Sequence, residues 1–216
     1  MKISKKISIF NGLFLILFIA WAINVANNTK LIQNFDSTLS SQIYHHNSLS
    51  LAIFRPITNI GDTYETIFVT AIIFVVLVLK KYYYASIFLV INKVVVAGLN
   101  SLIKNTLKRP RPSHKHYVYA GGFSFPSGHS ASSFALYISL LIISLFIFKK
   151  LSVKLIVSAI CIITVLLVGY SRIFLGVHYP SDVLGGYLLA ATILTFNTLL
   201  FRAKNLSILQ LKGINN

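Results

Sequence analysis

Long apolar runs are the feature that most limits what this chain can fold into. Six of them approach or reach the roughly 20 residues that a helix needs to cross a bilayer. They cover residues 7–26, 64–79, 82–103, 131–148, 153–170 and 182–201. Only 11% of the residues are charged, whereas a soluble domain carries roughly a quarter. The sequence therefore predicts an all-α, polytopic membrane protein, with residues 1–216 forming one domain built as a bundle of six transmembrane helices.

Lysine and arginine residues at the ends of the runs predict the orientation, because cytoplasmic loops carry more of them than external loops do. Eleven of them fall before span one, between spans two and three, between spans four and five, or after span six: Lys2, Lys5, Lys6, Lys80, Lys81, Lys149, Lys150, Lys154, Arg202, Lys204 and Lys212. We expect a multi-pass protein of the cell membrane with both termini in the cytoplasm. Residues 27–63, 104–130 and 171–181 then lie outside, and residues 51–62 are expected to form a short interfacial helix and turn.

The charge and the acidic residues limit the range of functions. The net charge of +16 could suggest nucleic acid, but most cations stand at the ends of apolar runs, so we do not expect nucleic-acid binding. Hard metal ions prefer several oxygen ligands, usually including carboxylates. The acidic residues of the chain are Asp36, Asp62, Glu65 and Asp182. We therefore expect a chemistry that needs no metal and no other cofactor.

One dense group of cations does not follow the rule that excess lysine and arginine lie on the cytoplasmic side. Residues 104–115 include five of them on the predicted external side: Lys104, Lys108, Arg109, Arg111 and Lys115. One interpretation is a solvated loop whose charge is tolerated because other loops dominate the orientation. The other is that the cations face an anionic partner outside the membrane.

Three polar stretches border the last four predicted spans. The end of span three, the start of span four, the end of span five and the start of span six must share one membrane face. The stretches are therefore expected to meet there: Lys104–Pro112, Pro126–His129 and Ser171–Asp182. Within them, three cations can bind phosphate oxygens: Lys104, Arg111 and Arg172. Gly128 stands where a helix begins, which lets backbone N–H groups face an anion. This combination predicts a phosphate site at the outer face.

Two histidines in these stretches predict the chemistry. His178 and Asp182 are four residues apart, a spacing that places both on one face of a helix. The carboxylate can then orient the imidazole, and His178 can attack phosphorus, while His129 acts as general acid and later as base. Taken singly, the residues have plainer interpretations. Each histidine could be a surface residue, Arg172 could extend to the lipid headgroups, and Asp182 could cap the last helix.

The same stretches carry a family resemblance. KNTLKRPRP, PSGH and SRIFLGVHYPSD closely resemble the motifs K-x6-R-P, P-S-G-H and S-R-x5-H-x3-D of the type 2 phosphatidic acid phosphatase/haloperoxidase superfamily. The predicted layout is similar to its bacterial membrane branch, which includes phosphatidylglycerophosphatase B and undecaprenyl-diphosphatase enzymes. The soluble haloperoxidases resemble this chain less.

The resemblance implies a role for each matching residue. His178 would be the nucleophile, oriented by Asp182, and His129 the acid. The phosphate would be held by Lys104, Arg111, Ser127, Gly128 and Arg172. Lys108 and Arg109 lie outside the motif spacing and would only add attraction for the headgroup.

The expected function is a lipid phosphatase that hydrolyses a phosphate monoester or diphosphate without metal, through a phosphohistidine. Undecaprenyl diphosphate, phosphatidylglycerol phosphate and phosphatidic acid all fit as substrates. Two alternatives stay open: a phosphotransferase that passes the phosphoryl group to an acceptor lipid, and a binder without catalysis.

Lys93 stands near the middle of span three, about 16 Å from either end at ~1.5 Å per residue. An intramembrane lysine is a functional candidate by default. It could line a path for a lipid headgroup, pair with Glu65, or face the bundle interior as a neutral amine. No motif of the family covers it.

Overall fold

The computed structural model describes residues 2–203, and over this range all regular secondary structure is helical. Lys204 and Lys212, which enter the expected orientation, lie outside the described residues. The helices are α1 (Lys2–Ala26), α2 (Lys30–Ile43), α3 (Ser48–Asn59), α4 (Thr63–Leu79), α5 (Tyr83–Leu107), α6 (Gly128–Ile147), α7 (Leu151–Phe174) and α8 (Pro180–Ala203).

The helices are long and apolar enough to form the predicted bundle. Within the described range, α1, α5, α6, α7 and α8 each have the length and hydropathy of a membrane span. The second predicted span, residues 64–79, corresponds to α4, which has only 17 residues. Helix α4 reaches the length and hydropathy of a membrane span only together with α3, and the two helices meet at a bend of 50°. The short helix and turn expected over residues 51–62 correspond to α3 and the residues that follow it.

A second short helix, α2, lies in a segment that the sequence leaves as a connection. Its polar and apolar residues alternate in a pattern that gives the helix one apolar side, so that Ile32 is fully buried while the opposite side is exposed. It packs against α7 and α8. This contact brings Asp36 into the interior of the protein, where 6% of the residue is exposed.

Helix α8 lies at the centre of the bundle and packs against α1, α5 and α6. The contact with α1 includes polar pairs, since Asn11 donates to the carbonyl of Thr192 at 2.8 Å and Trp21 donates to that of Ser181 at 3.0 Å. Large apolar side chains fill the interior, among them Phe88, Phe125 and Leu136.

Two successive glycines bring α8 close to the start of α6. A Cβ atom added to Gly186 would lie 2.8 Å from the backbone oxygen of Ser127, and one added to Gly185 would lie 2.3 Å from the ring of Phe125. The approach allows the Ser127 N–H to donate to the carbonyl of Asp182 at 3.0 Å. The ends of α6 and α8 that carry the predicted chemistry are thereby fixed to each other.

The segment between α5 and α6 folds over the same end of the bundle. Backbone hydrogen bonds hold it, from Tyr117 to Leu175 at 3.0 Å and from Ser124 to Arg109 at 2.8 Å. The Tyr44 hydroxyl adds a bond to the carbonyl of Lys115 at 2.6 Å. The cationic stretch therefore has a defined course across the end of the bundle and is more than a solvated loop.

Candidate active site

His178 and Asp182 meet at the start of α8, as the sequence predicts, but through a turn. His178 precedes the helix, which begins at Pro180, so the two do not share a helix face. Instead Asp182 Oδ2 accepts a hydrogen bond from the Tyr179 N–H at 2.8 Å and lies 3.4 Å from His178 Nδ1. Ser124 donates to the same carboxylate oxygen and lies 3.3 Å from Nδ1. The carboxylate thus both caps the turn and orients the ring.

The other ring nitrogen of His178 faces Arg111. Its Nε2 lies 3.1 Å from Arg111 Nη1, an arrangement that fits a neutral ring with hydrogen on Nδ1 and a lone pair on Nε2. Arg111 is held by three backbone oxygens, at 3.0 Å from Gly122, 2.7 Å from Gly121 and 2.7 Å from Val177. Burial lowers the pKa of His178 to about 3, with Asp182 opposing the shift. The ring is therefore an uncharged base placed beside a fixed cation.

Two further cations lie near this histidine. Lys104 donates to the carbonyl of Phe123 at 2.7 Å. Arg172 is 3% exposed and donates from Nη1 to Thr58 at 2.7 Å. Its Nε is buried and has no hydrogen-bond partner among residues 2–203. Arg172 does not reach out to headgroups, and its unused donor suits a bound anion.

The start of α6 supplies further donors. Ser127 caps the helix, because its hydroxyl accepts from the Ser130 N–H at 3.4 Å and from the Ser130 hydroxyl at 2.9 Å. The next residues, Gly128 and His129, have first-turn N–H groups that no carbonyl of the helix can satisfy. Such a helix end, with its partial positive charge, is suited to an anion.

His129 has a carboxylate partner of its own. Asp62 Oδ2 lies 3.3 Å from His129 Nε2, and Asp62 also caps α4 through the Tyr64 N–H at 3.2 Å. The bend between α3 and α4 places Asp62 there. Both histidines of the site therefore have a carboxylate that can fix the ring orientation.

Arg109 has a place that the sequence did not predict. It donates to Asp182 Oδ1 and to Asp36 Oδ2, both at 2.7 Å, and its guanidinium stacks over Tyr179 at 4.2 Å. Asp36 in turn accepts from the Ser181 N–H at 2.8 Å. Burial alone would lower the pKa of Arg109, but the two carboxylates raise it. The expectation that Arg109 only attracts a headgroup is wrong, because the arginine lies behind Asp182 and is occupied by carboxylates.

Lys93 lies away from this cluster, deeper in the bundle. Its ammonium group binds the hydroxyl of Ser132 and lies 3.5 Å from the Ser132 carbonyl. Glu65 is exposed, and no ion pair joins it to Lys93 in the part of the chain that the structure describes. The pairing considered from the sequence is not formed.

The structure thus brings the predicted residues together at one end of the bundle. Sequence reasoning missed four partners of these residues: Asp36, Thr58, Asp62 and Ser124. Asp62 and Asp36 belong to the small set of acidic residues, and that rarity was the one signal available for them. No signal marks Thr58 or Ser124. Among residues 2–203, no three histidine, cysteine, aspartate or glutamate side chains group as a metal site would require.

Comparison with known proteins places this arrangement in a family. The model of the PAP2 superfamily matches residues 67–206. Phosphatidylglycerophosphatase B of Bacillus subtilis is 40% identical over 93 residues, which are 41% of this chain and 44% of the relative. Undecaprenyl-diphosphatase BcrC of the same organism is 37% identical over 105 residues, 45% of this chain and 49% of the relative. The matched regions thus cover less than half the length of these relatives.

A solved structure has the same fold over nearly the whole chain. The transmembrane PAP2-type phosphatidylglycerolphosphate phosphatase of B. subtilis superposes with a TM-score of 0.80, covering 90% of this chain and 96% of that one at 24% identity. At this identity the likeness shows the fold alone. The family model covers more than half of the chain and includes all three motifs, and the fold agrees with it. The chain therefore belongs to the PAP2 superfamily.

Proposed function

We propose that this protein is a lipid phosphatase that hydrolyses a phosphate monoester or diphosphate of a membrane lipid through a phosphohistidine on His178. The observation that carries the proposal is the pair of contacts on the His178 ring. Asp182 holds Nδ1, and Nε2 keeps its lone pair beside Arg111. A nucleophile at Nε2 would thus meet a phosphate already bound by cations. The relatives are named as a phosphatidylglycerophosphatase and an undecaprenyl-diphosphatase, which supports the hydrolysis of a lipid phosphate.

The first step is attack on phosphorus. Lys104, Arg111 and Arg172 bind the phosphate oxygens and neutralise their charge. The Nε2 lone pair forms a bond to phosphorus while the bond from phosphorus to the lipid oxygen breaks. The electron pair of the broken bond goes to that oxygen, which takes a proton from His129. Positioning and charge neutralisation supply most of the catalysis in such a transfer.

The second step returns the enzyme to its starting state. His129, now neutral, accepts a proton from a water molecule as the water oxygen attacks phosphorus. The bond between phosphorus and Nε2 breaks, its electron pair returns to His178, and orthophosphate leaves. Asp182 stabilises the charged ring that exists between the steps. We propose that both steps proceed with these residues and without a metal.

A lipid substrate is supported by two cavities. One of about 360 Å³ is lined by residues of α5 and α6, His129 among them, and by Thr63 and Ile67 of α4. A second, of about 390 Å³, shares Ile67 with it and is lined almost wholly by apolar side chains such as Phe74 and Val90. With the reacting phosphate at His178 and the leaving oxygen at His129, the lipid tail would have an apolar path between α4 and α5.

We also propose that the site faces the outside of the cell, with both termini in the cytoplasm. The loops that contain Lys80, Lys81, Lys149 and Lys150 connect α4 with α5 and α6 with α7, at the end of the bundle away from His178. Excess cations favour the cytoplasmic side, which supports this orientation.

The test is phosphate release by the purified protein in detergent, with and without excess EDTA. The substrates are undecaprenyl diphosphate, phosphatidylglycerol phosphate and phosphatidic acid. We expect release from at least one lipid, unchanged by EDTA and reduced by roughly 10³-fold or more in His178→Gln. Equal release by both proteins would refute the nucleophile, and loss of release in EDTA would refute the metal-free route. Labelled phosphate that appears on an added lipid would identify a phosphotransferase instead.

A further inference from the structure

Lys93 is a buried cation without a counter-ion. It is 8% exposed, in the middle of α5. Its only hydrogen-bond partner among the described residues is Ser132, whose hydroxyl also lies 3.0 Å from that of Thr66. No carboxylate of residues 2–203 is within ion-pair distance of it. A charge placed like this inside a membrane is costly, and a bound anion would offset that cost.

The ammonium group borders the cavity that leads to His129. The cavity of about 360 Å³ is lined by Lys93 and Ser132 and also by Asn100, Gly128 and His129. Ser132 follows His129 by three residues, so the two share one face of α6 and are about 4.5 Å apart along its axis. Lys93 therefore lies about one helical turn below the residue that would protonate the leaving oxygen.

We propose that Lys93 and Ser132 form a second anion site, which holds a phosphate on the leaving-group side of the substrate. This inference rests on the proposed function, since it places the reacting phosphate at His178 and the leaving oxygen at His129. The preferred substrate would then be a lipid with two phosphates. In an isoprenyl diphosphate the second phosphate is bonded directly to the reacting phosphate through the bridging oxygen. In phosphatidylglycerol phosphate a glycerol unit separates the two phosphates. Phosphatidic acid has no second phosphate.

The second site acts on the charge that develops as the bond breaks. In a diphosphate, the electron pair of the broken bond goes to the bridging oxygen, which takes the proton of His129. The departing group is then a lipid monophosphate, whose charge the Lys93 ammonium neutralises. The apolar cavity of about 390 Å³ also touches Lys93, so the lipid tail would continue from there.

The test compares three lipids with the full-length protein in detergent: an isoprenyl diphosphate, phosphatidylglycerol phosphate and phosphatidic acid. Lys93→Met keeps an unbranched side chain of nearly the same length and removes the charge. We expect its kcat/KM on one or both two-phosphate lipids to fall about 10- to 100-fold further than on phosphatidic acid, the range for a lost charge-assisted hydrogen bond. The lipid on which kcat/KM falls further is the one whose second phosphate occupies the site. Ser132→Ala keeps the charge, and we expect a smaller change in the same direction.

The controls separate this inference from the proposed function. Lys149→Met makes the same chemical change at an exposed position, and we expect the ratios between lipids to stay as in the native protein. The inference is overturned if Lys93→Met lowers kcat/KM equally on all three lipids, which would be a structural effect. It is also overturned if kcat/KM changes on none of them. If the native protein releases phosphate from no lipid, the proposed function itself fails.

Discussion

Arg109 joins two carboxylates that come from distant parts of the chain, Asp36 of α2 and Asp182 of α8. We expect Arg109→Gln to lower kcat by about 10- to 100-fold, because a small displacement of Asp182 would misplace His178. KM should change by no more than about twofold, since the phosphate is bound elsewhere. Steady-state kinetics on a lipid phosphate checks this.

The exposed neighbour Lys108 provides the control for this prediction. Lys108→Gln removes a cation of the same stretch that contacts neither carboxylate, and we expect kcat within about twofold of the native value. If Arg109→Gln raised KM and left kcat unchanged, Arg109 would attract the headgroup after all.

The burial of His178 predicts how stability depends on pH. Its pKa is about 3 in the folded protein and returns to about 6.5 in the unfolded chain. Between these values only the unfolded state binds the proton, so stability falls as the pH drops from 6.5 towards 3. At pH 5 the loss is roughly 2 kcal/mol. We expect Tm in detergent to fall more between pH 7.5 and pH 5 in the native protein than in His178→Gln. An equal fall in the two proteins would contradict this account.

The residues of the site differ in how far the sequence could predict them. His178, Asp182 and Arg111 stand at fixed spacings within short motifs, and the structure brings them together. Asp36 and Thr58 stand 145 and 114 positions from the residues they bind. Their roles depend on how α2 and α3 pack over the bundle, and no local pattern encodes that packing.

The sequence predicted those helices whose position is marked by a long apolar run. The apolar runs correspond to α1 and to α4–α8, with ends that differ by a few residues. Helix α2 was missed because only one of its sides is apolar, so its average hydropathy does not stand out. Helix α3 was expected, but the bend of 50° between α3 and α4 depends on a turn geometry that composition does not reveal.

The close approach of α8 to α6 predicts the effect of adding a side chain at Gly186. A Cβ at Gly186 meets backbone atoms of Ser127 and Ala131 at 2.8 and 3.1 Å, which cannot rotate away. We expect Gly186→Ala to cost roughly 1–3 kcal/mol of stability and to lower activity more than tenfold, because it separates Asp182 from the start of α6. Thermal unfolding and phosphate release measure the two effects.

Gly98 of α5 is the matched control, since no atom would lie within 4 Å of its added Cβ. Gly98→Ala should leave activity unchanged and stabilise the helix by up to about 1 kcal/mol. Similar losses in the two variants would show that the approach at Gly186 is not required.

At the scale of the whole molecule, the orientation can be tested with single cysteines. Cys161 is buried and is the one cysteine of the chain, so Cys161→Ser gives a clean background. In it we expect Tyr119→Cys, at a position 94% exposed near the site, to react with a membrane-impermeant maleimide on intact cells. Lys149→Cys, at the other end, should react only after permeabilisation. The reverse pattern would place the site in the cytoplasm.

The most direct test of the whole account is to look for the phosphoryl group on His178. A diphosphate lipid labelled in its terminal phosphate is mixed with His129→Gln, which slows the reaction by roughly 10²–10⁴-fold, and samples are quenched from milliseconds to minutes. The account predicts label bound covalently at His178, and none in the double variant that also carries His178→Gln. Release of labelled phosphate by His129→Gln, with no label on the protein at any time, would contradict it.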